Sequence, residues 1–350
     1  MISAVKLRLL KAVVFFLIIL LIFGVFEFAG RSVFRDKLRN FLFVESPETI
    51  DHRLQPDSRL KINSDGIRSV HEADFYTEDQ YNIMILGDSF AFGWALHLEQ
   101  SFPHLLEQML REGYRCDKIN VINCGWISAS PLLEYRLLRD VAHKYKPDLV
   151  MQAFDMTDFH DDIMYQYMFD KRGIYWWYDK IPCTLFLIFE YLPSLGLWLH
   201  NRSFNYSLPE DRFFACAGPL EETRPLLQYS LDNLKRIDSL CGQIDARFLT
   251  IVYPRAFQYS AEECTESWEN ERYEIMGTYS LEPFRFFDSI RDSVDFPIAS
   301  LLDDFLKSQR FPLYFVNDPH WTPQGHRLCA EALFLLLGPQ GRYSIAAEFD

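Results

Sequence analysis

The stretch Asn82-Ile83-Met84-Ile85-Leu86-Gly87-Asp88-Ser89 sets an apolar run of strand length directly against a Gly-Asp-Ser turn. Five residues are too few for a helix, so Asn82 to Leu86 reads as a buried strand. Downstream, Leu98 to Arg111 carries apolar residues at helical spacing, Ile119 to Asn123 is a second strand, Pro131 to Tyr145 a helix and Asp148 to Phe154 a third strand. This β-α-β-α-β order predicts an α/β fold, a parallel sheet with helices on both faces. The alternation stops near Asp162 and resumes near Arg224 with a helix around Pro225 to Cys241. A strand at Arg247 to Tyr253, a helix around Pro283 to Val294, a strand at Pro297 to Leu302 and a last helix from Pro323 to Leu337 follow. A single α/β domain is thus expected over 81–338, with an insertion at about 163–223 that is dense in aromatics: Tyr165, Tyr167, Tyr175, Trp176, Trp177, Tyr178 and Trp198. It reads either as a second packing layer or as a lid. Residues 41–80, punctuated by Pro47, Pro56, Asp57 and Ser58, read as a connecting approach segment.

Working back to the N-terminus, Ala12 to Phe26 holds no charged side chain, and Leu9, Leu10, Phe28, Ala29 and Gly30 lengthen the run to about the 20 residues a membrane-spanning helix needs. Residues 1–40 are therefore read as an uncleaved signal anchor, in preference to a core helix, which is not apolar on every face, or a cleaved signal peptide, which ends in a small-residue site not seen here. Lys6, Arg8 and Lys11 on one side are answered by Arg31, Arg35, Lys37 and Arg39 on the other, a near tie under the positive-inside rule. A short tail is more simply retained in the cytoplasm, which puts the body in the periplasm or outside the cell. A second apolar stretch, Cys183 to Leu199, is interrupted by Glu190 and Pro193 and reads as core, lid or a surface touching the bilayer.

The formal charge of −14 averages two unlike parts: residues 1–40 carry seven Lys/Arg against two Asp/Glu, the remaining chain 28 against 47. So acidic a body is repelled by phosphate backbones, which excludes nucleic acid as a partner. Seven Cys without a Cys-x-x-Cys spacing outline neither a zinc ribbon nor a disulfide framework.

In open parallel sheets ligands bind beyond the carboxyl ends of the strands. There the first strand delivers Gly87-Asp88-Ser89, the second Asn123-Cys124-Gly125 and the third Asp155-Met156-Thr157-Asp158, while Asn317-Asp318-Pro319-His320-Trp321 precedes the final helix. A serine hydroxyl needs a base within reach and a group that orients the base. Ser89, His320 and Asp318 supply these roles, and their chain order is no obstacle because the geometry recurs in several orders.

These residues resemble the SGNH, or GDSL-type, hydrolase superfamily over residues 63–335, the insertion excepted. Ile85-Leu86-Gly87-Asp88-Ser89-Phe90 is similar to the serine block, Gly125 to the glycine block, and Asp318-Pro319-His320-Trp321-Thr322-Pro323 with Gly325 to the terminal Asp-x-His block. Asn63-Ser64-Asp65-Gly66-Ile67-Arg68 resembles an approach motif of one bacterial branch, and the Asp-x-His-Trp form resembles anchored proteins that O-acetylate exopolysaccharides. The resemblance implies a three-layer α/β/α flavodoxin-like fold, a catalytic Ser89, His320 and Asp318, and an oxyanion hole made by the Ser89 and Gly125 amides with a side chain of the third block. That block departs from the pattern: Thr157 occupies the position of its Asn. A missing oxyanion donor costs ~10²–10³ in turnover, so weak catalysis is compatible with an intact triad.

No cofactor or metal is expected. Asp155, Asp158, His160, Asp161 and Asp162 form an acidic group after a strand, read as solvated helix caps in preference to a metal cluster. Arg255 reads as a surface ion pair, His104 and His326 as structural. The expected activity is that of a serine esterase or O-acyltransferase, acting through an acetyl ester on an extracytoplasmic glycan or lipid. The alternatives are a non-catalytic carbohydrate-binding or assembly protein of this fold and a lipid-facing structural protein.

Overall fold

The computed structural model describes residues 4–33, 44–45, 53–170, 209 and 211–348. Tyr175, Trp176, Trp177, Tyr178, Trp198 and the whole of Cys183 to Leu199 lie outside the described residues. The chain divides into two compact units, Met1–Val44 with Met168–Ser207, and a body of Glu45–Tyr167 with Leu208–Asp350.

In the first unit, helix α1 (Ala4–Val33) carries the segment Leu10–Gly30, 21 residues with mean hydropathy 2.8 and none buried. It is apolar around its whole circumference and long enough to cross a bilayer.

The body is built on five parallel strands, β1 (Tyr81–Gly87), β2 (Ile119–Gly125), β3 (Leu149–Phe154), β4 (Arg247–Val252) and β5 (Ile298–Ser300), in spatial order β2-β1-β3-β4-β5. This is the flavodoxin-like order, in which the direction of winding reverses between β1 and β3 and opens a crevice at their carboxyl ends. β1 and β2 are buried on both faces, and alternate residues feed separate cores. Met84, Leu86, Ile122 and Cys124 join the cluster under helices α4 (Pro131–Asp140) and α6 (Leu220–Gln243). Ile83, Ile85, Ile119 and Val121 join that under α3 (Phe102–Tyr114) and α11 (Pro323–Leu337). The register sets Gly87 beside both Gly125 and Ala153, so the ends of the three strands form one rim.

Short pieces complete the body: α2 (Ser89–Phe92), α5 (Asp158–Asp170), α7 (Ala256–Tyr259), α8 (Trp268–Arg272), α9 (Glu282–Ile290) and α10 (Leu302–Lys307). Three expectations are corrected. The helix from Pro131 ends at Asp140 and gives way to a 3-10 turn at Ala142–Tyr145. Helix α6 starts at Leu220, so Pro225 lies inside its second turn, where only the bond to the Glu221 carbonyl is lost. The approach segment is more than a connection, since Leu54, Ile62, Ile67 and Tyr76 are buried in the core facing α4 and α6.

Candidate active site

The rim is assembled by close backbone approach. A Cβ on Gly125 would lie 2.2 Å from the Phe92 nitrogen, and one on Gly87 would lie 2.7 Å from the Ala91 Cβ, so glycine at both strand ends lets the one-turn helix α2 sit directly on the sheet. Asp88 caps that helix by accepting from the Phe90 N–H at 2.8 Å, and it also accepts from the Tyr253 hydroxyl at 3.1 Å. Ser89 is the first residue of the helix, so its N–H has no intrahelical acceptor. The chain then leaves through Gly93, left-handed at φ 83°, and the N–H groups of Gly93 and Trp94 both donate to the Ser89 carbonyl at 3.0 Å.

Residues of the approach motif hold this exit in place. The Asn63 side chain accepts from the Asp65 and Ile67 N–H groups and donates to the His71 carbonyl and the Tyr145 hydroxyl. Gly66 takes φ 80°, where a Cβ would meet the Leu54 carbonyl at 2.7 Å. The turn delivers Arg68, buried, whose guanidinium donates to the carbonyls of Phe92, Gly93 (2.9 Å) and Leu96 (2.6 Å) and lies 4.3 Å from the Phe92 ring centroid. Burial pushes its pKa down to about 10, which leaves it charged at neutral pH.

The opposing segment is a buckle between α10 and α11. Its amides at Leu313 and Tyr314 donate to the Glu263 carboxylate at 2.8 and 3.2 Å, the Phe315 N–H donates to the His320 carbonyl at 3.0 Å, and the Cys264 thiol donates to the Asp318 carbonyl at 3.3 Å. Trp321 is fully buried against Phe90, Tyr253 and Phe305, which anchors His320 one residue earlier at the rim. Gly325 is needed because a Cβ there would lie 2.3 Å from the Leu313 carbonyl oxygen.

The two segments meet at one point. Ser89 Oγ lies 2.8 Å from His320 Nε2, and His320 Nδ1 is hydrogen-bonded to Asp318 Oδ1, which also accepts from the His320 N–H at 3.0 Å. The pair Nδ1–H to carboxylate and Nε2 to hydroxyl is the tautomer that lets Nε2 accept the serine proton. Burial, with the nearby Arg255 charge, lowers the His320 pKa below 6.5 against the opposing pull of Asp318, so the imidazole is a free base at pH 7. Phe90 and the half-exposed Trp94 flank it, with ring centroids 5.0 and 5.9 Å away.

The other two residues expected at the oxyanion hole have their donors engaged. The Gly125 N–H donates to Asn123 Oδ1 at 3.0 Å. Thr157 is buried, and both its hydroxyl and its N–H donate to Asp155. Arg255 is likewise inside the protein: it pairs with Asp155 at 2.7 Å and Glu269 at 3.1 Å, and lies 4.7 Å from the Phe90 centroid. A surface ion pair is thus corrected to a buried one, whose guanidinium requires carboxylates around it. The acidic group is not solvated either. Asp155, Asp158, Asp161 and Asp162 are all buried, and Arg212 pairs with Asp161. Burial raises Asp88 to about 7, Asp162 to about 6, and Glu134 and Asp158 well above the carboxylate range, while at Asp155 burial is overcome by Arg255 together with the Thr157 hydrogen bonds, which hold it low. Among the described residues, no three His, Cys, Asp or Glu side chains are arranged to hold a metal ion. His326 accepts from the Phe102 N–H at 3.1 Å in the core, and burial pushes its pKa down to about 3. His104 pairs with Gln108 on α3.

Sequence reasoning missed the roles of Arg68, Arg255, Glu263 and Trp94. The rim rule offered a signal for Arg255, which follows β4 at the same edge as Ser89.

No protein-family model matches the chain, and a search of curated proteins finds no match. Solved structures do match in outline. A lipolytic protein of the G-D-S-L family from Desulfitobacterium hafniense is 15% identical, with TM-score 0.38, covering 73% of this chain and 98% of that one. The acetylxylan esterase Axe2 from Geobacillus stearothermophilus is 14% identical (TM-score 0.39; 73% and 92%), and the psychrotrophic esterase EstA from a Pseudoalteromonas species 15% (TM-score 0.40; 73% and 95%). At these scores the likeness carries no chemistry over to this chain.

Proposed function

We propose that the body is an SGNH-type serine esterase or O-acyltransferase with Ser89 as nucleophile, His320 as general base and acid, and Asp318 orienting the imidazole. The observation that carries this reading is the 2.8 Å contact between Ser89 Oγ and His320 Nε2, made by residues 231 positions apart in the chain. His320 removes the hydroxyl proton as Oγ bonds to an ester carbonyl carbon. The tetrahedral oxyanion that forms is met by the Ser89 amide, the orphan donor at the first position of α2. Collapse breaks the ester C–O bond, and the imidazolium returns its proton to the leaving alcohol. Water, deprotonated in turn by His320, releases the acid; a sugar hydroxyl in place of water gives acyl transfer. The triad serves both outcomes equally, since they differ only in the acceptor.

Helix α1 is read as a signal anchor that holds the body on the extracytoplasmic side, facing an acylated glycan or lipid. A non-catalytic, glycan-binding role is the second reading, favoured by the engagement of Gly125 and Thr157 with protein acceptors. A fluorophosphonate probe separates the two. Covalent labelling of the wild type that disappears in Ser89→Ala, with a fall of ~10³-fold or more in aryl acetate turnover, is the result expected of the enzyme. Equal labelling or equal turnover in both proteins overturns it.

A further inference from the structure

We infer that Trp94 is a specificity-determining residue of this site and that it receives the ring of an acylated pyranose, the alcohol half of the ester. The inference rests on the reading of Ser89 and His320 given above. The first argument is the position of the indole. In ester cleavage the imidazolium returns its proton to the departing alkoxide, so the alcohol half of the substrate lies on the His320 side of Ser89. Trp94 stands on that side, its ring centroid 5.9 Å from that of His320 and inclined at 37°.

Exposure supplies the second argument. Phe90, Ala91 and Phe92 of α2 are buried, whereas the Trp94 side chain, two residues on, remains 39% exposed and gives much of its surface to solvent. The third is rigidity. The Trp94 N–H donates to the Ser89 carbonyl at 3.0 Å, Arg68 pins the carbonyls of Phe92, Gly93 and Leu96 on either side, and the next residue, Ala95, is held left-handed at φ 61°. A non-glycine residue in that region costs energy, and such a conformation persists where its surroundings over-determine it. An exposed flat aromatic surface, fixed beside the leaving group, loses little entropy when a ring stacks on it. A pyranose presents a face of C–H groups to such a surface. The glycerol half of a lipid ester is an open chain with no face to offer.

The test compares three acetates on the full-length protein in detergent: vinyl acetate, triacetin and an acetylated methyl pyranoside, each assayed by acid release. The expected result is that Trp94→Ala lowers the ratio of kcat/KM for the sugar acetate to that for vinyl acetate about 10-fold, through KM, as loss of one aromatic contact implies. Trp94→Phe restores most of the ratio, and the triacetin to vinyl acetate ratio stays within about twofold. An unchanged sugar ratio, or a triacetin ratio that falls as far, overturns the assignment while leaving the triad reading intact. Vinyl acetate turnover that is the same in wild type and Ser89→Ala overturns the triad reading, and this inference with it.

Discussion

Thr157 has one hydroxyl proton to give, and Asp155 receives it. In the SGNH pattern the residue at this position points a donor at the oxyanion; here the donor serves a carboxylate that Arg255 also holds. Thr157→Val is therefore expected to act on folding, costing about 1–3 kcal/mol by stripping a partner from a buried carboxylate, while aryl acetate kcat falls less than tenfold. Urea unfolding and steady-state kinetics on the same preparation check it, and a loss of ~10²–10³ in kcat would return Thr157 to the oxyanion hole. Ser89, Asp318 and His320 were legible as candidates because their residue types can carry this chemistry and Asp318 lies two residues before His320. The destinations of the Thr157 hydroxyl and the Gly125 amide were not, because a donor's partner depends on which acceptor folding brings within about 3 Å.

At the scale of elements, the one-turn helix α2 owes its place to what is missing from the strands beneath it. Gly125→Ala sets a methyl group 2.2 Å from the Phe92 nitrogen, a backbone atom that cannot rotate aside. The expected outcome is a loss of about 1–3 kcal/mol in stability, with slower fluorophosphonate labelling as Ser89 is pushed off line; unchanged thermal unfolding and labelling would contradict the packing described. Strand β1 was readable because burial on both faces leaves a continuous apolar run, Ile83 to Leu86, whereas β2 is read from Ile119, Val121 and Ile122 around two buried asparagines, Asn120 and Asn123. Helix α5 was not: Asp158, Asp161 and Asp162 are buried, so polarity along it does not map onto exposure and no amphipathic stripe appears. The burial of Ile62 and Ile67 escaped notice for a related reason, since residues in turns bury without any period.

Across the whole body, several carboxyl groups are buried while Arg255 is ion-paired to only two of them. Asp88 and Glu269, both raised by burial to about 7, and Glu134 and Asp158, raised well above the usual carboxylate range, bind protons in the native state that an unfolded chain has released by pH 5. A raised acid pKa stabilises the fold at low pH and loses that contribution as pH climbs through the folded value. His320 and His326, lowered by burial, act in the opposite sense, an effect that fades as pH rises past their ordinary value of 6.5. Between pH 6.5 and 8 the four acids outweigh the two fading histidines, so thermal stability is expected to fall over that interval, and Asp158→Asn to flatten the slope; a rise in melting temperature over the same interval would contradict it. The local order of apolar and turn residues determined the α/β alternation, the spanning length of the N-terminal run, and which serine, histidine and aspartate were available, because each of these is a property of neighbours in the chain. Only the tertiary structure decided that Ser89 and His320 touch and that Arg68 and Arg255 are buried, because these contacts are set by segments far apart in sequence that pack at one sheet edge.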